Sequence, residues 1–422
     1  MSAVQTFSTV RTEINGISVQ NLAKSFGTPT YVYDAAKIAQ RITDLQAFDV
    51  VRYAQKANSN LAVLDWVRRQ GAVVDAVSGF EIQRAFAAGF VAGKEPPEIV
   101  YTADIFDQST LDLLVTHDIH VNCGSPMMID QYGERAPGRN ITLRINPGFG
   151  HGHSQKTNTG GEQSKHGIWH DQIDDCLRRA DQHGLGVTGL HMHIGSGTDL
   201  DHLAQVCGAL ETTALGVGRS ITTVSAGGGL PTLYRGDEEP VDLQRYFDLW
   251  DATRKRLEGE FGHKISLEIE PGRYLSAECG FLITEIRAIK KMGNNLFYLV
   301  DAGFNNLARP ILYGSYHPMS ICARAGNPDP HHQDVVVGGP LCESGDIFTQ
   351  TEGGFVSSRS LPVAAVGDYL IIECAGAYGF VMSSNYNSKP MAAEVLLRDG
   401  KPHLVRARQS FDDVIRGESI PQ

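Results

Sequence analysis

Short apolar runs alternate along the chain with longer segments in which apolar residues recur every three or four positions, from about Tyr31 to Glu270. The short runs predict eight strands: Val50–Ala54, Ala72–Val77, Ile99–Thr102, His120–Cys123, Ile141–Ile145, Val187–Ile194, Thr222–Ser225 and Ile265–Ile269. The periodic segments predict amphipathic helices, for example Leu61–Val67, for which Ser59 is the expected N-cap. Eight such repeats over roughly 240 residues match a (β/α)8 barrel, and an open doubly wound sheet is the competing architecture.

The pattern changes after Gly272, where strand-like runs follow one another with few helical segments between them. These runs are Phe281–Ile289, Leu296–Val300, Asp334–Val337, Tyr369–Cys374 and Glu394–Leu397. Asp399-Gly400 predicts a tight hairpin, because both residue types tolerate positive φ. We therefore predict an N-terminal segment, residues 1–30, that packs on a β domain, a barrel over residues 31–272, and a C-terminal all-β domain over residues 273–422.

Composition narrows the class of protein. The chain has 422 residues, which is longer than one hydrophobic core usually supports. Its net charge is −11, and its charged residues form no block of like sign, which argues against a nucleic-acid partner. No apolar run is long enough to predict a membrane span, and the N-terminal residues do not resemble a cleaved leader. Seven scattered cysteines, an odd number, suggest reduced thiols. We expect a cytoplasmic protein with no nucleic-acid or membrane partner.

Lys56 is the first candidate for chemistry, because it stands at the end of the apolar run that predicts the first barrel strand. An amine buried away from water at that position would favour its neutral form and could attack an aldehyde to form a Schiff base. A solvated lysine at the end of a strand is the alternative, and Lys56 alone does not decide between them.

Two motifs close the sixth and seventh predicted strands. His191 and His193 share one face by strand periodicity, so one of them could stack on a flat ring. A metal site is the alternative, but no suitably spaced carboxylate or thiol completes a ligand set, and we predict none. Gly227-Gly228-Gly229 follows the seventh strand, where barrels commonly bind phosphate through backbone N–H groups.

Glu268 and Glu270 end the eighth strand on a common face, and two inward carboxylates need positive partners. A carboxylate that faces a pyridine nitrogen keeps it protonated, which makes the ring an electron sink for a carbanion and suits loss of carbon dioxide. The alternative for Glu268 is an ion pair with an arginine that bridges the barrel and the β domain.

The second predicted domain contains three loops rich in glycine and charged residues. One contains Arg309 and Tyr313, a second contains Cys342 and Glu343, and a third surrounds Tyr378. An arginine can bind a carboxylate through two parallel hydrogen bonds. From the residues alone, each loop is no more than a functional candidate.

Seven motifs, in this order along the chain, resemble the diaminopimelate decarboxylase family: YAQKANSN, HMHIGSG, SAGGG, EPGR, DAGFNNLARPILYG, GGPLCESGD and GAYGFVMSSNYNS. The resemblance implies a fold type III enzyme, an alanine racemase-like barrel with a β domain, that uses pyridoxal 5′-phosphate. It implies decarboxylation of meso-2,6-diaminopimelate to L-lysine by a homodimer with shared active sites. Lys56 would hold the cofactor aldehyde as a Schiff base.

The resemblance also assigns roles to individual residues. The cofactor positions are Lys56, Asp75, His193, Ser196, Gly229, Glu270, Gly272, Arg273 and Tyr378. The substrate positions are Arg273, Arg309, Tyr313, Glu343 and Tyr378, and Glu343 suits the distal amino group. Cys342 would protonate the carbanion, and both Cys342 and Glu343 would reach in from the partner subunit.

The chain departs from the family pattern at two positions, where His166 replaces an aromatic residue and Lys389 replaces an arginine. Lysine keeps the charge at position 389 but loses the planar fork of arginine. The glycine-rich loop from Gly148 to Gly167 suggests a mobile lid. Rival functions are an ornithine or arginine decarboxylase, an amino-acid racemase of the same fold, and a cofactor-carrying binding module without catalysis.

Overall fold

A computed structural model describes residues 7–150, 160–193, 199–218, 220–326 and 329–421. In chain order its strands are β1 Glu13–Ile14, β2 Ile17–Ser18, β3 Thr30–Asp34, β4 Val50–Ala54, β5 Val73–Ala76, β6 Ile99–Ala103, β7 His120–Cys123, β8 Asn140–Asn146, β9 Ile168–Trp169, β10 Gly186–Met192, β11 Thr223–Ser225, β12 Ser266–Ile269, β13 Gly280–Met292, β14 Asn295–Val300, β15 Met319–Cys322, β16 His332–Gly338, β17 Arg359–Pro362, β18 Tyr369–Ile372, β19 Ala393–Arg398 and β20 Lys401–Arg406.

The helices are α1 Val19–Phe26, α2 Ala35–Thr43, α3 Leu61–Arg69, α4 Gly79–Ala87, α5 Gln108–His117, α6 Pro126–Arg135, α7 Ile173–Gln182, α8 Leu200–Val217, α9 Leu243–Phe261, α10 Arg273–Ser276, α11 Arg309–Tyr313 and α12 Phe411–Val414. Among the described residues, no helix combines the length and the apolar character that crossing a membrane requires.

Eight parallel strands close into a barrel in the order β4, β5, β6, β7, β8, β10, β11 and β12, and β12 pairs back onto β4. This confirms the predicted barrel and excludes the open sheet. The strands are apolar throughout because both of their faces are covered, and Val74, Val121, Leu143 and Leu267 are fully buried. Parallel closure brings the carboxyl ends of all eight strands to one rim, where barrel enzymes bind their ligands.

Local signals explain where the barrel helices begin. In α3 the side chain of Asn60 accepts a hydrogen bond from the Ala62 N–H at 2.9 Å, so Asn60 is the N-cap and the prediction of Ser59 was one residue too early. In α8 the side chain of Asp199 caps the first turn, and Leu203, Cys207 and Leu210 form the buried stripe.

The second unit contains a sheet in the order β17, β16, β14, β13, β3, β19 and β20, and β18 joins β13 to β15. The predicted hairpin is present, because β19 pairs antiparallel with β20 and the turn residues Asp399 and Gly400 have φ of 53° and 69°. The core of this unit includes Ile14, Val19, Leu22, Ile283, Ile371 and Val395.

The chain divides into two compact units at places that differ from the boundaries expected at residues 30 and 272. The barrel unit comprises Ala39–Pro231 and Val241–Leu275, whereas the sheet unit takes the described residues up to Ile38, Thr232–Pro240 and the chain from Ser276 onward. The N-terminal difference has a clear cause: β3 pairs with β13 and β19, both of which belong to the sheet unit.

Candidate active site

Lys56 lies on a short 3-10 turn, Gln55–Ala57, that follows β4 directly at the carboxyl rim of the barrel. The Ala54 N–H donates to the Pro271 carbonyl at 3.2 Å, which ties the start of this turn to the segment after β12. The side chain of Lys56 is exposed. The expectation of a buried Lys56 amine was therefore wrong for the single chain, because the turn carries Lys56 past the end of the buried strand.

Glu270 follows β12 and is 6% exposed. The Ser225 hydroxyl donates to Glu270 Oε1 at 2.8 Å, and His191 Nε2 lies 2.9 Å from Glu270 Oε2. Burial alone would raise the pKa of Glu270, but His191, Ser225 and the charge of Arg52 lower that pKa to about 2. The carboxylate is therefore ionised, in a position that barrel closure fixes at the rim.

Glu268, two residues earlier, has a different partner. The guanidinium of Arg52 donates to both of its carboxylate oxygens, at 3.0 and 3.1 Å, and Arg52 also donates to the Pro97 carbonyl at 2.8 Å. Arg52 lies on β4, so this ion pair joins two neighbouring barrel strands. The alternative for Glu268, an ion pair with an arginine, is present, but it does not bridge to the β domain, since both partners belong to the barrel.

Asp75 lies on β5, is 4% exposed, and its Oδ1 has no hydrogen-bond partner among the described residues. Burial and the negative charge of Glu270 raise the pKa of Asp75 to about 8, against the opposing effects of the Thr102 hydroxyl and the Lys56 ammonium. Asp75 therefore keeps its proton near neutral pH, whereas Glu270 is ionised.

His193 follows β10, and its ring is neutral because burial and the charges of Arg144 and Lys56 hold its pKa well below the usual value. The glycine turn after β11 packs closely on it. A Cβ at Gly227 would lie 2.7 Å from the His193 Cβ, and a Cβ at Gly228 would lie 2.6 Å from the Glu270 carbonyl oxygen. Side chains are therefore excluded where the turn crosses the barrel rim.

The remaining barrel candidates fall on the same rim or outside the described residues. Gly229 has φ of 98°, which favours glycine, and Gly272 is buried immediately before Arg273, the first residue of α10. Ser196 lies outside the described residues, as does the central part of the loop between Gly148 and Gly167. At the end of that loop, His166 Nδ1 lies 2.9 Å from Asp104 Oδ2.

Arg309 begins α11 in the sheet unit and is 5% exposed. It donates to the Tyr234 hydroxyl at 3.1 Å and to His317 Nε2 at 2.9 Å. His317 Nδ1 lies 3.0 Å from the Glu373 carbonyl, which can only accept, so the tautomer carries its proton on Nδ1. Tyr313 ends the same helix and is partly exposed.

Cys342 and Glu343 are exposed at the tip of a loop in the same unit, and the other six cysteines are buried. Tyr378, half-buried, has φ of 56°, a left-handed conformation that is uncommon for a tyrosine. Such backbone conformations are found most often at functional sites, which supports Tyr378 as a candidate.

Sequence reasoning missed the partners that hold these groups. The sequence left His191 as one of two histidines that could stack on a flat ring, and its contact with Glu270 was not predicted, because β11 separates the strands that carry the HMH and EIE motifs. Ser225 was read only as the start of the glycine turn. Tyr234 and His317 had no sequence signal, because their contacts with Arg309 depend on the tertiary fold.

Comparison with known proteins agrees with this geometry. Residues 35–277 match the family model described as pyridoxal-dependent decarboxylase, pyridoxal binding domain. Diaminopimelate decarboxylase of Escherichia coli strain K12 is 50% identical over 411 residues, which cover 97% of this chain and 98% of that protein. The Streptomyces coelicolor enzyme of the same name is 50% identical over 409 residues, covering 97% of this chain and 93% of that protein.

Solved structures give the same result. A crystal structure of a diaminopimelate decarboxylase superposes with a TM-score of 0.92 at 51% identity, covering 94% of this chain and 95% of that one. The Helicobacter pylori diaminopimelate decarboxylase, solved in complex with L-lysine, has a TM-score of 0.83 at 30% identity and covers 94% and 98% of the two chains. The chain belongs to the diaminopimelate decarboxylase family of pyridoxal-phosphate-dependent enzymes.

Proposed function

We propose that the chain converts meso-2,6-diaminopimelate to L-lysine and carbon dioxide, the last step of lysine biosynthesis. The observation that carries the proposal is Glu270, which His191 and Ser225 keep ionised at the barrel rim. Pyridoxal phosphate, when bound, supplies an electron sink whose strength depends on a protonated ring nitrogen. A racemase of this fold would instead be expected to place an arginine near that nitrogen, which makes a weaker sink.

The residues present fit the cofactor. Glu270 offers the negative charge that a pyridinium nitrogen requires, and the neutral ring of His193 can stack on an aromatic face without repelling that cation. The glycine turn leaves its backbone uncovered where phosphate is commonly held in barrels. Lys56 would bond the cofactor aldehyde carbon, and Asp75, Ser196, Gly229, Gly272, Arg273 and Tyr378 would surround ring and phosphate.

The substrate would be bound through charges at both of its ends. Arg273 and Arg309 would contact carboxylates, Tyr313 and Tyr378 would line the site, and Glu343 would bind the distal ammonium group. This pairing suits diaminopimelate because ornithine and arginine lack the second carboxylate. Cys342 would deliver the proton to the carbon that loses carbon dioxide, since a thiol can act as a general acid.

We further propose a cytoplasmic homodimer in which Cys342 and Glu343 complete the active site of the partner subunit. Both residues are exposed in one chain, as a contribution to a neighbouring site requires. All seven cysteines are free, which suits a reducing compartment.

Mixing two inactive variants tests the shared site. Lys56→Ala and Cys342→Ala subunits, allowed to exchange, would give heterodimers with one intact site each, and random pairing would restore about a quarter of wild-type activity. Absence of any recovery after verified subunit exchange would place each site within a single chain.

Release of carbon dioxide tests the activity itself. The purified protein with added pyridoxal phosphate should release it from meso-diaminopimelate and form equimolar L-lysine, at a kcat/KM far above that for ornithine or arginine. A preference for ornithine or arginine would support a related decarboxylase. Racemisation without gas release would support a racemase, and inertness toward all substrates would support a binding module.

A further inference from the structure

The loop that carries Cys342 and Glu343 is held firmly at its base. Asp346 is 4% exposed, and its two carboxylate oxygens accept hydrogen bonds from the Leu341 N–H at 2.8 Å and the Phe304 N–H at 2.7 Å. The Gly339 N–H donates to the Asp346 carbonyl at 2.9 Å. These contacts fix the two ends of the loop but do not reach its exposed tip.

The tip is contacted by two consecutive residues of another segment. The Cys342 N–H donates to Asn387 Oδ1 at 2.7 Å, and the Tyr386 hydroxyl makes a longer contact of 3.4 Å with Glu343 Oε2. The ring of Tyr386 also packs on Phe304, with centroids 5.2 Å apart. Thus each of the two proposed functional residues has its own contact from the SSNYNS motif, to which the proposed function assigns no role.

The segment around Asn387 is anchored independently of this loop. Asn385 Nδ2 donates to the Lys389 carbonyl at 2.9 Å and to Gln409 Oε1 at 2.6 Å, and the Lys389 N–H donates to the Tyr386 carbonyl at 3.2 Å. Asn387 itself has φ of 54° and ψ of 28°, a left-handed conformation that asparagine adopts more readily than most residues. The backbone of Asn387 is therefore held by its own turn.

We propose that Asn387 is a positioning residue that fixes Cys342 through its backbone N–H, while Tyr386 orients the carboxylate of Glu343. The role of Asn387 is to hold the thiol in one orientation at the tip of an otherwise exposed loop. Tyr386 acts separately, on the group that would recognise the distal ammonium of the substrate. This inference rests on the proposed roles of Cys342 and Glu343.

Two substitutions at Asn387 separate positioning from folding. Asn387→Gly tolerates the left-handed backbone but lacks the acceptor, whereas Asn387→Asp keeps an acceptor oxygen and the same backbone preference. In the holoenzyme we expect the glycine variant to lose about 10- to 100-fold in kcat at unchanged Tm, and the aspartate variant to retain most of it. Tyr386→Phe should raise KM for diaminopimelate with a smaller effect on kcat.

Alkylation by iodoacetamide supplies a measurement that does not depend on turnover. Mass spectrometry of the Cys342 peptide should show several-fold faster modification in Asn387→Gly, because the released tip samples more orientations, and near wild-type rates in Asn387→Asp and Tyr386→Phe. Wild-type alkylation and kcat in Asn387→Gly, or equal damage in both Asn387 variants, would overturn the proposal. If the wild-type protein releases no carbon dioxide, the proposed function fails, and the alkylation rates still decide whether Asn387 holds Cys342.

Discussion

His191 Nε2 lies 2.9 Å from Glu270 Oε2, and this contact lowers the pKa of one of two buried carboxyls at the barrel rim. Together with the hydroxyl of Ser225 and the charge of Arg52 it overcomes the effect of burial and brings the pKa of Glu270 to about 2, whereas burial and the charge of Glu270 raise the pKa of Asp75 to about 8. At neutral pH the barrel rim thus presents one carboxylate and one protonated carboxyl. That separation suits a site in which a single negative charge must face a ring nitrogen.

Glu270→Gln should reduce kcat by about 100- to 1000-fold while the cofactor remains attached, because the charge that strengthens the electron sink is lost. Steady-state kinetics measure kcat, and the visible spectrum of the holoenzyme shows whether the cofactor remains attached. Glu268→Gln is the matched control, since Glu268 lies two residues earlier, on β12, but pairs with Arg52.

In that control we expect a loss of about 3–5 kcal/mol in the free energy of unfolding, since Arg52 would remain buried without its partner. The folded fraction should keep its specific activity. If Glu268→Gln impaired turnover as strongly as Glu270→Gln at equal cofactor content, the assignment of separate roles would be wrong.

Because of Asp75, the stability of the cofactor-free chain should decrease as the pH rises. The pKa of Asp75 is 3.8 in the reference state and about 8 in the fold, so its favourable contribution is complete below pH 3.8 and is lost as the pH rises toward 8. The slope is at most about 1.4 kcal/mol per pH unit.

Asp75→Asn removes this titration, so the difference in free energy of unfolding between variant and wild type should grow in favour of the variant across that pH range. Urea denaturation at several pH values measures it. A difference that stays constant from pH 3.8 to pH 8 would show that Asp75 is not protonated in the folded chain.

Cys342→Ala should slow formation of lysine by about 100-fold or more and leave pyridoxal phosphate bound, because the thiol is the proposed proton donor to the carbanion. Ser344→Ala, in the same exposed loop, is the control and should stay within about twofold of wild type. Product formation and cofactor absorbance are measured in parallel, and full turnover by Cys342→Ala would remove its acid role.

Much of the fold was predictable because the barrel strands are buried on both faces and appear as short apolar runs. Three strands of the sheet unit were not identified as sheet members, for different reasons. Arg359–Pro362 is polar and ends in proline, Met319–Cys322 follows Pro318 and contains the polar Ser320, and Thr30–Asp34 was assigned to the barrel region although its pairing partners lie far away in sequence.

Only part of the candidate site could be predicted from the sequence. Strand alternation placed Glu270 and His193 on inward faces, but the family resemblance was needed to choose them over Glu268 and His191. The exposure of Lys56 was not predicted, since it depends on a 3-10 turn that the apolar run does not reveal. The partners of Arg309 and Cys342 are likewise tertiary: Tyr234 precedes Arg309 by 75 residues, and Asn387 follows Cys342 by 45. Local periodicity carries no information about such contacts.

Lys56→Ala should abolish turnover, because no other amine is proposed to bond the cofactor aldehyde. Lys94→Ala is a useful control, since Lys94 is an exposed lysine that pairs with Glu98 on the same segment. The control should keep wild-type activity and colour. Residual decarboxylation by Lys56→Ala at more than trace level would count against the assignment.

Borohydride reduction of the purified holoenzyme, followed by peptide mass spectrometry, tests the central claim most directly. The proposal predicts one pyridoxyl-phosphate adduct per chain, on the peptide that contains Lys56, and its disappearance in Lys56→Ala. A protein that stays colourless with added pyridoxal phosphate, or an adduct on a different lysine, would contradict the account.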